Sequence, residues 1–250
     1  MILFAAYFIF GLVIGSFLNV CIYRLPVGKS IIKPPSACGT CGHRLAFLDM
    51  IPVLSYIFLG GKCRYCHTPY SPRYALVELM TGCLFALCGV FYLPGPELIL
   101  AFLFTACLII TTFVDIDHQI ILNEIVVLLL AGGIFNCAFF SRNRLDNIYG
   151  MLLAGGLMLV IYLVSRGGMG EGDVKLSFAL GLWLGLSASL VLLLLAFVLG
   201  GIVGVALLLT GLKGRKDAIP FGPYLCMAGY ISLLFSPYLI FYYWQFFATH

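Results

Sequence analysis

The chain of 250 residues is 62% hydrophobic and 10% charged, and its mean hydropathy is +1.10. An ordinary soluble domain is about 45–50% apolar and about 25% charged, so the composition excludes a soluble domain, a disordered chain, a coiled coil and a secreted disulfide scaffold. The net charge of +4 does not indicate a nucleic-acid partner, because the basic residues flank apolar runs. The composition predicts a polytopic membrane protein.

Eight apolar runs are candidates to cross a bilayer, which takes about 17–25 helical residues. They are residues 1–23, 74–93, 97–114, 120–140, 148–165, 176–186, 189–212 and 224–248. Each is predicted to be a helix, because backbone polar groups must be paired within lipid. The sixth run is short and reaches full length only by starting near Asp173, and seven or nine spans are also compatible with the pattern. The first run lacks a basic amino-terminal region and a small-residue cleavage site, so we expect a retained helix and not a signal peptide.

The positions of Lys and Arg predict the orientation in the membrane, because cytoplasmic loops carry an excess of both. If residues 24–73 are cytoplasmic, eight crossings place twelve of the fourteen basic residues inside and only Arg142 and Arg144 outside. The inside set comprises the seven basic residues of 24–73 together with Arg166, Lys175, Lys213, Arg215 and Lys216. Both termini are therefore predicted to lie outside, with the large loop in the cytoplasm.

Two C-x-x-C pairs lie in that loop, twenty-one residues apart. The four thiols are those of Cys38, Cys41, Cys63 and Cys66. Two such knuckles supply a tetrahedral set of sulfur ligands, so we predict a structural zinc site that holds the fold of the loop. Redox-active dithiols or disulfides are the alternative, and a cytoplasmic location disfavours stable disulfides. His43 and His67 are close enough in sequence to replace one sulfur, although solvent-facing histidines are the simpler interpretation.

Two acidic clusters lie beside apolar runs, where ionisable residues are costly and indicate function. Asp115 and Asp117 end the third run, and Glu171 and Asp173 belong to a G-x-G-D sequence that enters the sixth. Both clusters fall on the cytoplasmic side of the predicted topology. Two carboxyls that share a proton can activate water and polarise a peptide carbonyl. Simple boundary markers, or partners of nearby basic residues, are the alternative interpretation.

Further motifs occur in a fixed order along the chain. They are GSFLNV at 15–20, YRLP at 23–26, DMIPVLS at 49–55 within the cysteine quartet, SPRY at 71–74, Glu78, and IPFGPY at 219–224. Together with the cysteine quartet and the two acidic clusters, they make the chain resemble the type IV prepilin leader peptidases almost from end to end. The chain departs from that family at residues 121–123, which read ILN where Leu-Pro-Asp is usual, so no proline-imposed break is expected at the start of the fourth helix.

The resemblance implies an all-α bundle of about eight membrane helices with its active site at the cytoplasmic face of the bacterial inner membrane. It places the catalytic aspartates at Asp115 and Asp173. It implies that the enzyme cleaves the basic leader of prepilins or pseudopilins after a glycine. It then methylates the new amino terminus using S-adenosylmethionine. The implied organisation is a first helix (1–23), a zinc loop associated with methylation (24–73) and a peptidase bundle (74–250).

Other interpretations predict different features. A transporter or proton channel, with the zinc knuckles as a cap, predicts carboxylates near the bilayer midplane and repeated halves. A non-catalytic adaptor protein that presents its zinc loop to a partner would not need two acidic clusters on the same side of the membrane. A presenilin-like protease shares the G-x-G-D sequence but not the cysteine loop. Glu78 would bind a basic leader residue or a cofactor amine, or would be a boundary acid reaching interfacial water.

Overall fold

The computed structural model of the chain describes residues 2–165, 168–212, 214 and 219–248. Within these ranges it contains helices, turns and two isolated bridges but no strand. The helices are α1 (Ile2–Arg24), α2 (Leu54–Phe58), α3 (Arg73–Phe91), α4 (Pro96–His118), α5 (Asn123–Phe139), α6 (Arg144–Ser165), α7 (Glu171–Leu209) and α8 (Gly222–Ala248). The residues of the predicted topology that lie outside the described ranges are Met1, Arg166, Lys213, Arg215 and Lys216.

Six of the described helices are long and apolar enough to cross a membrane, so the predicted all-α, multi-pass class is confirmed. They are α1, α3, α4, α6, α7 and α8. Helix α5 is apolar but has only 17 residues, the lower limit for a span. The eight predicted runs fall on seven helices, because the sixth run and most of the seventh lie in the 39 residues of α7, which ends at Leu209.

Helix α7 is interrupted at Gly185, whose φ of 78° and ψ of 178° are not helical. Such a positive φ favours glycine, since other residues place their Cβ against the backbone there. The interruption removes the helical partner of the Leu182 carbonyl. The amide of buried Asn147, from α6, donates to that carbonyl at 2.8 Å. The two predicted runs therefore correspond to two helical halves, joined at a break where a neighbouring helix donates a hydrogen bond to the exposed backbone carbonyl.

The chain divides into two compact units, Met1–Ile110 and Thr111–His250. In the first unit, α1 and α3 pack at close range because α1 presents glycines one turn apart. A Cβ on Gly11 would lie 2.7 Å from Gly82 Cα, and one on Gly15 would lie 2.7 Å from Glu78 Cα. Glycines four residues apart are a common means of close helix packing in membranes. The side-chain amide of Asn19 donates to the Tyr74 carbonyl at 2.9 Å, which joins α1 to the start of α3.

In the second unit, α5, α6 and α8 all pack against α7. The indole N–H of Trp183, in α7, donates to the Leu129 carbonyl of α5 at 2.6 Å. Glycine again allows two helices to pack closely, here α6 and α7, since a Cβ on Gly181 would lie 2.8 Å from Met151 Cα of α6. The first half of α7 is thereby held against α5 and α6, which positions the acidic residues at its amino terminus.

Candidate active site and metal centre

The predicted catalytic pair, Asp115 and Asp173, lies in the second unit at two helix ends. Asp115 is three residues before the end of α4, and Asp173 is the third residue of α7. Their relative exposures are 5% and 8%, so both are buried. The charge of Asp115 acts on the Asp173 carboxyl. The structure thus brings the two acids, which are far apart in sequence, within electrostatic reach of each other.

Gly222, the first residue of α8, holds the Asp115 carboxyl. Its backbone N–H donates to Asp115 Oδ2 at 3.0 Å in a buried setting. The first amides of a helix have no partner within that helix, so an acceptor from elsewhere must satisfy them. A Cβ on residue 222 would lie 2.6 Å from Asp115 Oδ2, and only glycine permits this approach. The IPFGPY motif at 219–224 therefore contributes a backbone donor to the acidic pair.

The glycines of the G-x-G-D sequence also allow close approach. A Cβ on Gly172 would lie 2.8 Å from the Cβ of Ile121, and one on Gly170 would lie 3.2 Å from Asp173 Oδ2. Ile121 belongs to the turn between α4 and α5. Gly172 therefore lets the first turn of α7 pack directly on the turn that follows Asp115.

The other acids of the two clusters lie outside this buried pair. Asp117 and Glu171 are exposed. Glu171 forms an ion pair with Lys175 one turn later, and Lys175 also donates to Asn123 Oδ1 at 3.3 Å. The structure therefore separates each cluster into one buried and one exposed carboxyl. Because the buried carboxyls lie at helix ends, they do not match the midplane carboxylates that a proton relay predicts.

The four cysteines of the loop form a compact cluster in the first unit. Their sulfur atoms all lie within 4.8 Å of one another, and the group contains neither histidine. The knuckles are closed by matching hydrogen bonds, from Cys38 N to the His43 carbonyl and from Cys63 N to the Thr68 carbonyl, each 2.9 Å long. A tetrahedral zinc ion with bonds of about 2.3 Å separates its sulfur ligands by about 3.8 Å. The Sγ atoms of Cys38 and Cys66 are 3.8 Å apart, so the cluster fits zinc.

Local hydrogen bonds act on the thiols and fix the loop around the cluster. The backbone amides of Cys41 and Thr40 lower the pKa of the Cys38 thiol to about 6. The His43 amide lowers the pKa of Cys41, but burial and the neighbouring thiols of Cys38 and Cys66 outweigh it and raise that pKa to about 11. Asp49 accepts hydrogen bonds from Arg64 Nε at 2.6 Å and from the Tyr65 hydroxyl at 3.2 Å. Burial raises the pKa of Asp49, but the hydrogen bonds from Arg64 and from the Ala46 amide outweigh it and keep the pKa below its ordinary value. The segment between the knuckles is thereby tied to the second knuckle.

Two hydrogen bonds, one to the acidic pair and one to Glu78, were not predicted from the sequence. The contact between Gly222 and Asp115 joins residues 107 positions apart. The available signal was a glycine flanked by prolines at the start of an apolar run. Such a pattern predicts the start of a helix, where an amide is left unpaired, but it does not predict which residue accepts the hydrogen bond. Glu78 is the second case, since its carboxylate accepts the Val53 N–H at 2.8 Å. It is 9% exposed, so little of its surface is accessible, and both interpretations of Glu78, as a ligand of a basic group and as a boundary acid, stay predictions.

Known proteins resemble the chain over nearly its whole length. Residues 9–92 match the model described as bacterial peptidase A24 N-terminal domain, and residues 102–205 match the type IV leader peptidase family. A protein of Aeromonas hydrophila is 36% identical, over 93% of this chain and 91% of its own. Relatives in Bacillus subtilis and Pseudomonas aeruginosa are 35% and 34% identical, over 94% of this chain and 96% and 91% of their own.

Each of these three relatives carries the name prepilin leader peptidase/N-methyltransferase. No solved structure matches the chain. The two family matches lie in the same order as the cysteine loop and the acidic clusters, and they confirm the resemblance inferred from the motifs. The chain belongs to the type IV leader peptidase family.

Proposed function

We propose that this chain removes the leader peptide of type IV prepilins or pseudopilins at the cytoplasmic face of the bacterial inner membrane. Cleavage follows a glycine, and the new amino terminus is then N-methylated with S-adenosylmethionine as the methyl donor. The observation that carries the proposal is the buried pair of Asp115 and Asp173, with a backbone donor on one carboxyl. The names of the bacterial relatives support the same pair of activities.

In the proposed reaction, Asp115 and Asp173 are the catalytic residues and hold one proton between them. The ionised carboxyl takes a proton from water, whose oxygen attacks the scissile carbonyl carbon, while the protonated carboxyl donates to the carbonyl oxygen. The tetrahedral gem-diol intermediate collapses when the C–N bond breaks, the leaving nitrogen receives the proton that the first carboxyl took from water, and one hydroxyl of the intermediate returns its proton to the other carboxylate as the new carboxyl group forms. The two carboxyls again hold one proton between them, since one water has been consumed and two new chain ends have formed.

The proposed organisation follows the chain order of these parts. Residues 24–73 form a cytoplasmic loop domain with zinc, associated with methylation, and residues 74–250 form the peptidase bundle after the first helix of 1–23. The distribution of Lys and Arg supports a cytoplasmic loop with both termini outside. The acidic pair then lies at the cytoplasmic boundary, where the basic leader of a prepilin is accessible.

The activity test is co-expression of the chain with a prepilin in cells that lack their own leader peptidase. We expect a shortened pilin whose first residue follows the glycine and whose amino-terminal peptide is heavier by one methyl group, both measured by mass spectrometry. A prepilin with that glycine replaced by a bulky residue is the matched control and should keep its leader. An uncleaved prepilin beside a membrane-inserted, intact chain contradicts the proposal.

The proposed metal ligands are Cys38, Cys41, Cys63 and Cys66, which would hold one zinc ion and stabilise the loop when it binds. We expect metal analysis of the purified chain to give about one zinc per chain and Cys63→Ser to lose most of it, because three thiolates bind zinc more weakly than four. Cys83→Ser is the matched control, since Cys83 lies in α3 outside the cluster, and should retain the metal. A zinc-free native chain, or equal zinc in Cys63→Ser, contradicts the assignment.

A further inference from the structure

The short helix α2, between the two cysteine knuckles, exposes its apolar face. Leu54, Ile57 and Phe58 follow the i, i+3, i+4 spacing of one helix face, and their relative exposures are 50%, 63% and 82%. Ser55 and Tyr56 are half-buried instead. The Tyr56 ring packs edge-on against Tyr70, with ring centroids 5.3 Å apart. A helix on a water-soluble loop would bury its large apolar side chains and expose its polar ones. In α2 the apolar side chains are the exposed ones.

The residues that precede α2 extend the same apolar surface. The short 3-10 helix Phe47–Met50 exposes three large side chains, with Phe47 80% exposed. Six large apolar side chains are thus exposed among the twelve residues of 47–58. An exposed apolar surface of this density marks a contact with a protein or a membrane.

A hydrogen bond ties this segment to a helix within the membrane. The Val53 N–H, at the start of α2, donates to Glu78 Oε2 at 2.8 Å. Glu78 is buried and is the sixth residue of α3, so it lies about 8 Å along the helix from its first residue. Val53 has a φ of 61°, which is unfavourable for a β-branched residue and is held in place by this contact. The segment is therefore anchored beside the first turns of a spanning helix.

The charge of the loop indicates what the exposed surface contacts. Residues 24–73 carry seven Lys or Arg and a single acidic residue, Asp49, which is already paired with Arg64. A surface with this charge is complementary to anionic lipid headgroups. Amphipathic segments that bind in this way bury their apolar face about 5–10 Å into the boundary between headgroups and acyl chains. The distance of Glu78 from the first residue of α3, about 8 Å along the helix, is of the same order.

We infer that residues 47–58 form an interfacial segment whose exposed apolar side chains insert into the cytoplasmic leaflet of an anionic bilayer, with Glu78 as the residue that positions it. The inference rests on the assignment of α3 as a membrane span and is independent of the proposed peptidase activity. It makes the loop a membrane-attached platform that holds the cysteine cluster near the membrane surface.

The test uses p-benzoylphenylalanine, a photoreactive amino acid that bonds to neighbouring C–H groups, incorporated in place of Phe58. The full chain is reconstituted in nanodiscs of phosphatidylethanolamine and phosphatidylglycerol and irradiated, and mass spectrometry then identifies the adducts. Incorporation in place of Thr40, at the exposed turn of the first knuckle, is the comparison. We expect several-fold more phospholipid adduct at 58 than at 40. Equal yields, or a predominant bond from position 58 to a second copy of the chain, would overturn the inference.

Substitutions of Glu78 test its positioning role with the same probe at position 58. Glu78→Leu removes the acceptor for the Val53 N–H and should lower the lipid adduct several-fold, whereas Glu78→Gln retains a carbonyl acceptor and should preserve it. Zinc content and recovery from the membrane report on folding separately from the adduct. An unchanged adduct in Glu78→Leu, with normal zinc content, would show that Glu78 does not position the segment.

Discussion

Asp115→Asn and Asp173→Asn are each expected to abolish leader removal from a co-expressed prepilin. Asparagine has nearly the same shape as aspartate but cannot accept or transfer the proton that the proposed reaction moves. Loss of one general acid or base lowers a rate by about 10²–10⁴-fold, which leaves prepilin uncleaved on the time scale of expression. The fraction of pilin that has lost its leader, measured by mass spectrometry, is the readout for each variant.

The matched control for this pair is Asp117→Asn. Asp117 belongs to the same cluster as Asp115 but is exposed, so its substitution should leave cleavage close to that of the unmodified chain. Because the two buried carboxyls repel each other when both are charged, each Asn variant should resist thermal unfolding at least as well as the original chain. Full cleavage by either Asn variant would reject the assignment, and Asp117 would become the next candidate.

Gly222→Ala is expected to lower kcat/KM for leader removal by about 10²-fold, because displacement of a reacting group by about 1 Å has an effect of this size. The new Cβ would lie 2.6 Å from Asp115 Oδ2, which is too close for contact. The carboxylate must therefore shift and lose its hydrogen bond from the residue 222 amide. The measurement is steady-state cleavage of a prepilin peptide by the purified chain in detergent.

Gly201→Ala is the matched control for Gly222→Ala, since a Cβ there has no atom within 4 Å. Its cleavage rate should equal that of the original chain, and its thermal stability should be equal or slightly higher, because alanine favours a helix. If Gly222→Ala cleaves at the original rate and folds normally, the amide of residue 222 does not orient the Asp115 carboxyl.

Features with a local cause were predictable from the sequence, as the acidic pair illustrates. Apolar length predicted the helices, and charge beside apolar runs marked Asp115 and Asp173 as unusual. Their exposed neighbours, Asp117 and Glu171, carry the same local signal, so burial was needed to separate them. The distinction depends on contacts between helices, such as that of Gly222 in α8 with Asp115, which the hydrophobic periodicity of the sequence does not predict.

The break between α4 and α5 was predicted in position but not in its cause. The separate apolar runs 97–114 and 120–140 placed it, and α4 ends at His118 and α5 starts at Asn123 although no proline at residue 122 imposes a break there. Gln119 takes a φ of 53° at this point, a conformation that is uncommon outside glycine. Packing of Ile121 on Gly172 holds the turn in place. Tertiary contact here replaces the local constraint that proline supplies elsewhere.

The hydrogen bond from Gly222 to Asp115 also bears on the order in which the candidate site is assembled during synthesis. A ribosome completes both acids well before it reaches residue 222, which lies 107 positions after Asp115. A nascent chain that ends with α7 therefore carries both carboxyls but not the amide that donates to one of them. If the pair catalyses cleavage as proposed, prematurely terminated copies that lack α8 should cleave prepilin more slowly than the complete chain.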